Sequence, residues 1–289
     1  TARTTYLAGI MANSALYTEP LFLVGVVFLF AGFLFKLAVF PFHSWAPDVY
    51  EGAPHQAVAF IGTASKVGAV GIIVRALLLA PDSTLIADGI LWLCVLSMTI
   101  GNLAALGQRD LKRLLAYSTV AHAGYLLIGL IGISELGVTS TIFYVIVYVI
   151  IAFGPFLVIC ALGEDGSNPQ RDDLSGLYKR SPFLALVLLV GLFGLAGIPP
   201  TPGFSGKWFL FAAAMKEGQF GLVLVAAVNA PISLYYYLIL VKQAYLAEPG
   251  DRGPIPLSPA YTIAGAITLL LMLGIGFYPA PLWDLAVAA

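Results

Sequence analysis

Charge is scarce in this sequence: Asp, Glu, Lys and Arg together make up 10% of the 289 residues, hydrophobic residues make up 60%, and mean hydropathy is +0.94. A soluble domain draws about a quarter of its residues from the charged set, so much of this chain's surface has to face lipid. Fourteen Lys/Arg against fifteen Asp/Glu leave a net charge of -1, which gives neither the basic footprint of a nucleic-acid-binding protein nor an acidic tail. Cysteine is nearly absent. Cys94 and Cys160 lie in apolar runs without CxxC or Cys/His ligand spacing, which argues against an iron–sulfur or zinc site in this chain. No GxGxxG follows a strand pattern and no GxxxxGK(S/T) loop occurs, so any redox cofactor or nucleotide is expected on another chain. Residues 1–18 lack the basic start, short apolar core and small-residue cleavage site of a signal peptide. The chain opens on Thr1 rather than Met, and a fragment of something longer is the expectation.

What is present is a succession of apolar runs. A membrane span needs about 20 apolar residues at 1.5 Å rise each, and eight segments qualify, near 20–46, 55–79, 86–107, 112–132, 138–162, 182–216, 219–246 and 260–279. The expected fold is an all-α, polytopic transmembrane helix bundle of about eight spans, two of them broken, with no soluble domain. Segment 182–216 is about 52 Å long as one helix, far more than the ~30 Å hydrocarbon core, and Gly197-Ile198-Pro199-Pro200-Thr201-Pro202-Gly203 in its middle cannot stay helical. Segment 20–46 is interrupted by Pro41, a few residues after Lys36. Broken spans persist only where the freed backbone is buried in protein or lines a wet cavity, and paired broken helices point to a transport site built from inverted repeats.

An alternating path puts loops 47–54, 108–111, 163–181 and 247–259 on one side. There they collect Arg109, Lys112, Arg113, Arg171, Lys179, Arg180, Lys242 and Arg252, against Arg3, Arg75 and Lys216 on the other. By the positive-inside rule the first side is cytoplasmic.

That distribution leaves Lys36, Lys66 and Lys207 inside the membrane. Lys66 lies about 18 Å into its span, and a charge at the bilayer centre costs at least about 2.5–3.5 kcal/mol. Intramembrane ionisable groups mark transport paths; the competing reading is that each lysine bonds carbonyls freed by a break and glues helices. All fifteen acidic residues fall in loops or at helix ends, which disfavours a hard metal cation as cargo, whereas a lysine amine takes and gives protons. Burial and mutual repulsion both oppose the charged form of a lysine, so one amine could be tuned for exchange. Ser118, His122 and Tyr125 share one helical face near mid-span and could hold a water file; a histidine satisfied by a neighbouring helix is the other reading. Asn229, Ser233 and Tyr237 make a second stripe, read as helix–helix glue. His43, just past Pro41, is a possible relay from Lys36, and His55 beside Pro54 reads as ordinary.

Several stretches resemble a known family. They are Phe35-Lys36-Leu37, Pro41-Phe42-His43-Ser44-Trp45-Ala46-Pro47-Asp48-Val49-Tyr50-Glu51-Gly52-Ala53-Pro54 and Thr63-Ala64-Ser65-Lys66. Further on come Asp110 through Ser118 with His122-Ala123-Gly124-Tyr125, Ala196 through Pro199 and Gly203 through Lys207. Together they look like the C-terminal part of the antiporter-like subunits N of bacterial respiratory complex I, the proton-pumping NADH:quinone oxidoreductase. The Pro-Asp-Val-Tyr-Glu-Gly-Ala-Pro form points to N rather than to the paralogues L and M. The resemblance implies two inverted five-helix repeats, each with a broken helix, and a central chain of lysines linked by water, with Lys36, Lys66 and Lys207 at its positions. It also implies partners among the other membrane-arm subunits, an inner-membrane location, and NADH, FMN, iron–sulfur clusters and quinone held by partner subunits, none by this chain. On that plan residues 1–80 end the first repeat, 81–246 form the second, and 247–289 are a connector and a last helix. Family members have roughly fourteen helices in this inverted-repeat plan, so the opening helices, including the one that carries the first lysine's partner glutamate, are missing here. A subunit of a multi-subunit cation/proton antiporter and a non-catalytic membrane scaffold remain the alternatives.

Overall fold

The computed structural model describes residues 9–10, 19–77 and 84–289; Arg3, Asp82 and the readings made on 1–8 and 11–18 lie outside the described residues. Helix begins wherever a proline or a capping side chain fixes the first turn. Proline opens α1 (Pro20–Leu37), α9 (Pro182–Ala196), α10 (Pro202–Lys216) and α12 (Pro259–Phe277), where its missing N–H leaves no bond unmade. Side-chain oxygens of Asp110 and Ser134 take the backbone N–H groups of Arg113 and Gly137, which starts α6 (Leu111–Ile128) and α7 (Glu135–Leu162). The remaining helices are α2 (Trp45–Gly52), α3 (His55–Gly62), α4 (Ala64–Leu77), α5 (Thr84–Leu106), the single turn α8 (Leu177–Arg180), α11 (Phe220–Leu246) and α13 (Ala280–Ala288). Among the described residues the sole strand-like feature is an isolated bridge between Asp110 and Gln170.

Among the described residues six helical segments are long and apolar enough to cross a bilayer: Pro20–Leu37, His55–Leu77, Ile86–Leu106, Glu135–Leu162, Phe220–Leu246 and Pro259–Phe277. The enclosed α6 and the broken pair α9–α10 bring the crossings to the eight expected, and the chain is an integral membrane protein. Helices α6 and α7 form the centre: α6 packs on α2, α5, α7 and α10, and α7 packs on α3, α4, α9, α10, α12 and α13. Phe28, Phe220, Leu270 and Phe277 on the outer helices are exposed, as a lipid-facing surface requires.

Three local features depart from the sequence reading. The first break begins before Pro41: α1 stops at Leu37 because Ala38 turns left-handed (φ 62°) and its N–H caps Leu34 and Phe35, while Pro41 keeps the helix from resuming at once. Span 55–79 is also interrupted, at Thr63 (φ -121°, ψ -92°), whose hydroxyl back-bonds to the Ala59 carbonyl. Lys112, counted above among the loop cations, is 1% exposed and gives its ammonium to the Ala53 carbonyl at 2.9 Å. Loop 163–180 is stitched over this end of the bundle: Leu111 N–H donates to Pro169 O, Arg171 N–H to Arg109 O, and Asn168 Nδ2 to Glu51 O.

Candidate functional site

Two buried amines end on carbonyls that helix breaks have set free. At the first break, Lys66, on α4 just past the Thr63 interruption, donates from Nζ to Leu37 O at 2.8 Å. At the second, Gly197 (φ 84°) closes α9 in the left-handed region, and Lys207, in the second turn of α10, reaches back to Leu195 O at 2.9 Å and Ala196 O at 3.0 Å. The last turn of a helix carries partial negative charge on its unpaired carbonyls, which is where an ammonium is best compensated. The two halves of the second break lie so close that a Cβ on Gly203 would sit 1.8 Å from Gly194 O; only glycine fits. Lys66 and Lys207 are 2% and 5% exposed.

His122, on α6, is 1% exposed. Its Nδ1 meets the Tyr144 hydroxyl at 2.7 Å and its Nε2 the Tyr237 hydroxyl at 3.4 Å. Tyr237 is bonded in turn to Ser118 Oγ at 2.5 Å. The Tyr148 ring lies tilted, 5.2 Å from the imidazole; its hydroxyl bonds Thr119 Oγ1 at 2.9 Å and donates to Gly62 O at 3.1 Å, a carbonyl that the Thr63 interruption exposes. On the far side the Tyr125 ring lies 4.7 Å from Lys207 Nζ, close enough for a cation–π contact.

The expected residues are not all brought together. Lys36 lies on the exposed side of α1, so the buried set holds two of the three lysines. His43 Nδ1 is buried without a hydrogen-bond partner and its ring stands 5.4 Å from Phe40; no bond links it to Lys36 among the described residues. The Ser118–His122–Tyr125 stripe faces the centre as expected. Asn229 behaves as glue: it accepts from Asn102 at 3.1 Å and donates to Thr99. Tyr237, grouped with it, joins the His122 line instead. Tyr144, Tyr148 and Thr119 were not singled out from sequence. Two tyrosines at i and i+4 in the otherwise aliphatic α7 were the available signal. No group of three or more His, Cys, Asp or Glu side chains that could hold a metal ion occurs among the described residues.

Comparison with known proteins fits this geometry. Residues 2–233 match the transmembrane family described as NADH:quinone oxidoreductase/Mrp antiporter. The chain is 50% identical over 263 residues to NADH-quinone oxidoreductase subunit N 2 of Syntrophobacter fumaroxidans, covering 90% of this chain and 56% of that protein. A chain of respiratory complex I from Thermus thermophilus superposes with a TM-score of 0.81 at 34% identity, covering 92% of this chain and 59% of that one. A chain of the Mrp complex from a Dietzia species shares the fold, with a TM-score of 0.89 at 23% identity over 98% of this chain and 61% of that one. The chain therefore spans a little more than half the length of the relatives it matches. The chain belongs to the NADH:quinone oxidoreductase/Mrp antiporter transmembrane family.

Proposed function

We propose that this chain is the C-terminal part of a subunit N in the membrane arm of a proton-pumping NADH:quinone oxidoreductase, and that it passes protons between Lys66 and Lys207 through His122. The observation that carries this reading is a buried imidazole bonded to tyrosine hydroxyls at both nitrogens, in one bundle with two buried amines that each end on a helix-end carbonyl. An amine on a carbonyl acceptor can give up a proton and take another, and hydroxyl and imidazole groups pass protons without large movement. The electron chemistry belongs to partner subunits holding NADH, FMN, iron–sulfur clusters and quinone. Residues 1–80 and 81–246 serve as the end of one inverted repeat and the whole of the next, with 247–289 as connector and last helix. The loops at 108–111, 163–181 and 247–259 face the cytoplasm, and the membrane is the inner one.

A cation/proton antiporter reading has the shared fold in its favour, but hard cations seek carboxylates and the centre of this site is built from hydroxyls, an imidazole and amines. The test is Lys66→Ala in the full-length subunit, assembled in its complex. Fewer protons should be pumped per NADH oxidised, with no dependence on sodium. An assembled Lys66→Ala complex that pumps at the parental ratio rejects the role; one that assembles poorly but pumps normally per complex supports the scaffold reading instead.

A further inference from the structure

Beside the His122 line, α5 and α11 are joined by two buried amides, Asn102 and Asn229, and backbone carbonyls fix which way each one points. Asn102 Nδ2 donates to Asn229 O at 3.3 Å and to Asn229 Oδ1 at 3.1 Å; a backbone carbonyl can only accept, so the nitrogen of Asn102 has to be on that side. Asn229 Nδ2 is held in the same way by Val225 O at 3.0 Å, which turns its Oδ1 toward Asn102. That leaves Asn102 Oδ1 facing the Tyr236 hydroxyl at 3.0 Å, and between an amide oxygen and a hydroxyl the hydroxyl must donate. Tyr236 stands next to the line: its ring lies 4.4 Å from that of Tyr237, and its hydroxyl comes within reach of the Ser118 and Tyr237 hydroxyls. With its single hydrogen committed to Asn102, the Tyr236 oxygen can only accept from them.

We infer that Asn102 is a positioning residue: by holding the Tyr236 hydrogen out of the line it leaves a fixed acceptor beside Ser118 and Tyr237, and so sets the direction in which the hydroxyls at His122 come to rest. A fixed acceptor draws hydrogen away from the imidazole. Either Tyr237 donates to Tyr236 directly, or it donates to Ser118 and Ser118 donates to Tyr236. In both cases the Tyr237 oxygen is left to accept from His122 Nε2, and Nδ1 accepts from Tyr144. Asn102 takes no part in the transfer itself, because a neutral amide neither takes up nor releases a proton. Without it, the freed Tyr236 hydroxyl can donate to Ser118 or Tyr237 and push their hydrogens back toward the imidazole.

This role rests on the proton-transfer reading above, and the test separates the two. The measurement is protons pumped per NADH oxidised by the assembled complex in inverted membrane vesicles. Asn102→Leu removes the acceptor that holds the Tyr236 hydrogen and should lower the ratio by at least a third. Adding Tyr236→Phe to Asn102→Leu removes the misdirected hydrogen as well, and the ratio should rise again. A residue that merely joined α5 to α11 would not behave so, since a second buried lesion cannot repair the first. An Asn102→Leu complex that pumps at the parental ratio, or one whose loss Tyr236→Phe does not reverse, overturns the positioning role, and the central line stands as long as Lys66→Ala fails to pump normally. If Lys66→Ala pumps normally, the central line falls and the positioning role with it. Should Asn102→Leu fail to assemble, Asn102→Ala, with and without Tyr236→Phe, decides by the same two criteria.

Discussion

Replacing Lys207 by Arg separates holding two helix ends together from exchanging a proton. The Lys207 ammonium makes two bonds to carbonyls, 2.9 and 3.0 Å long, and lies over the Tyr125 ring. Charge-assisted bonds contribute about 1.5–3 kcal/mol each and a desolvated cation–π contact about 2 kcal/mol, while taking an ammonium out of water costs several kcal/mol. The two sides are of similar size, so the lysine contributes little net stability as long as its bonds are made. An arginine can supply donors to the same two carbonyls, yet its guanidinium does not deprotonate in proteins. Lys207→Arg should therefore still assemble, with repacking of the longer side chain costing about 1–3 kcal/mol and lowering the thermal midpoint of the complex no more than a core substitution of that size does. Proton transfer through the subunit should fall by about 100-fold or more, the usual worth of a positioned acid–base group. The assay is the complex in proteoliposomes, with an internal pH dye read against NADH oxidised. Parental pumping by Lys207→Arg would refute the reasoning, because a side chain that cannot release a proton would then be enough.

Gly203→Ala should lower the thermal midpoint of the detergent-solubilised complex, since its Cβ would stand 1.8 Å from Gly194 O and the two half-helices must part, at about 1–3 kcal/mol; an unchanged midpoint would show that the break is loosely packed. Arg113→Ala removes contacts to Asp48 at 2.8 Å and Glu51 at 2.6 Å. Both acids are more than a third exposed, so the loss should be no more than about 1 kcal/mol and should shrink in high salt. A larger, salt-insensitive loss by thermal unfolding would mean that the short helix α2 depends on this clamp.

The spans and the second break were legible because hydropathy and proline act locally: twenty apolar residues need lipid, and Gly197 with Pro199, Pro200 and Pro202 in a run of seven stops one helix and starts the next. The buried positions of Lys66 and Lys207 followed from depth along their helices. Direction around a helix did not follow, because an apolar span has nearly the same composition on its lipid and protein faces. Lys36, read as lying within the membrane, falls in the span Pro20–Leu37 and is exposed on this chain, and Lys112, next to a loop in sequence, is buried with its ammonium on the Ala53 carbonyl. The interruption at Thr63 was hidden because neither Gly62 nor Thr63 forbids helix; what breaks it is packing, with Phe156 and the Tyr50 hydroxyl against Gly62. Tyr144 and Tyr148 were passed over for a related reason. A tyrosine in a membrane helix is as readily an interfacial anchor as a central group, and only the fold sets these two against His122.

The arrangement around His122 constrains how a proton would cross it. A neutral imidazole has one nitrogen that donates and one that accepts. With hydroxyls at both nitrogens, the tautomer that donates to Tyr144 must accept from Tyr237, and the reverse. A proton that arrives at Nδ1 and leaves from Nε2 therefore inverts both bonds at once. The inversion at Nε2 runs on to Ser118, because Tyr237 can donate to only one of its two partners at a time. After each passage the hydroxyls point the wrong way for the next proton and have to turn back. Burial of all these groups shuts out bulk water that could reset them at random, so the reset has to be driven from the ends of the line. In the proposed transfer, a histidine with a hydroxyl at each nitrogen works by one-proton steps in alternation rather than as an open proton wire.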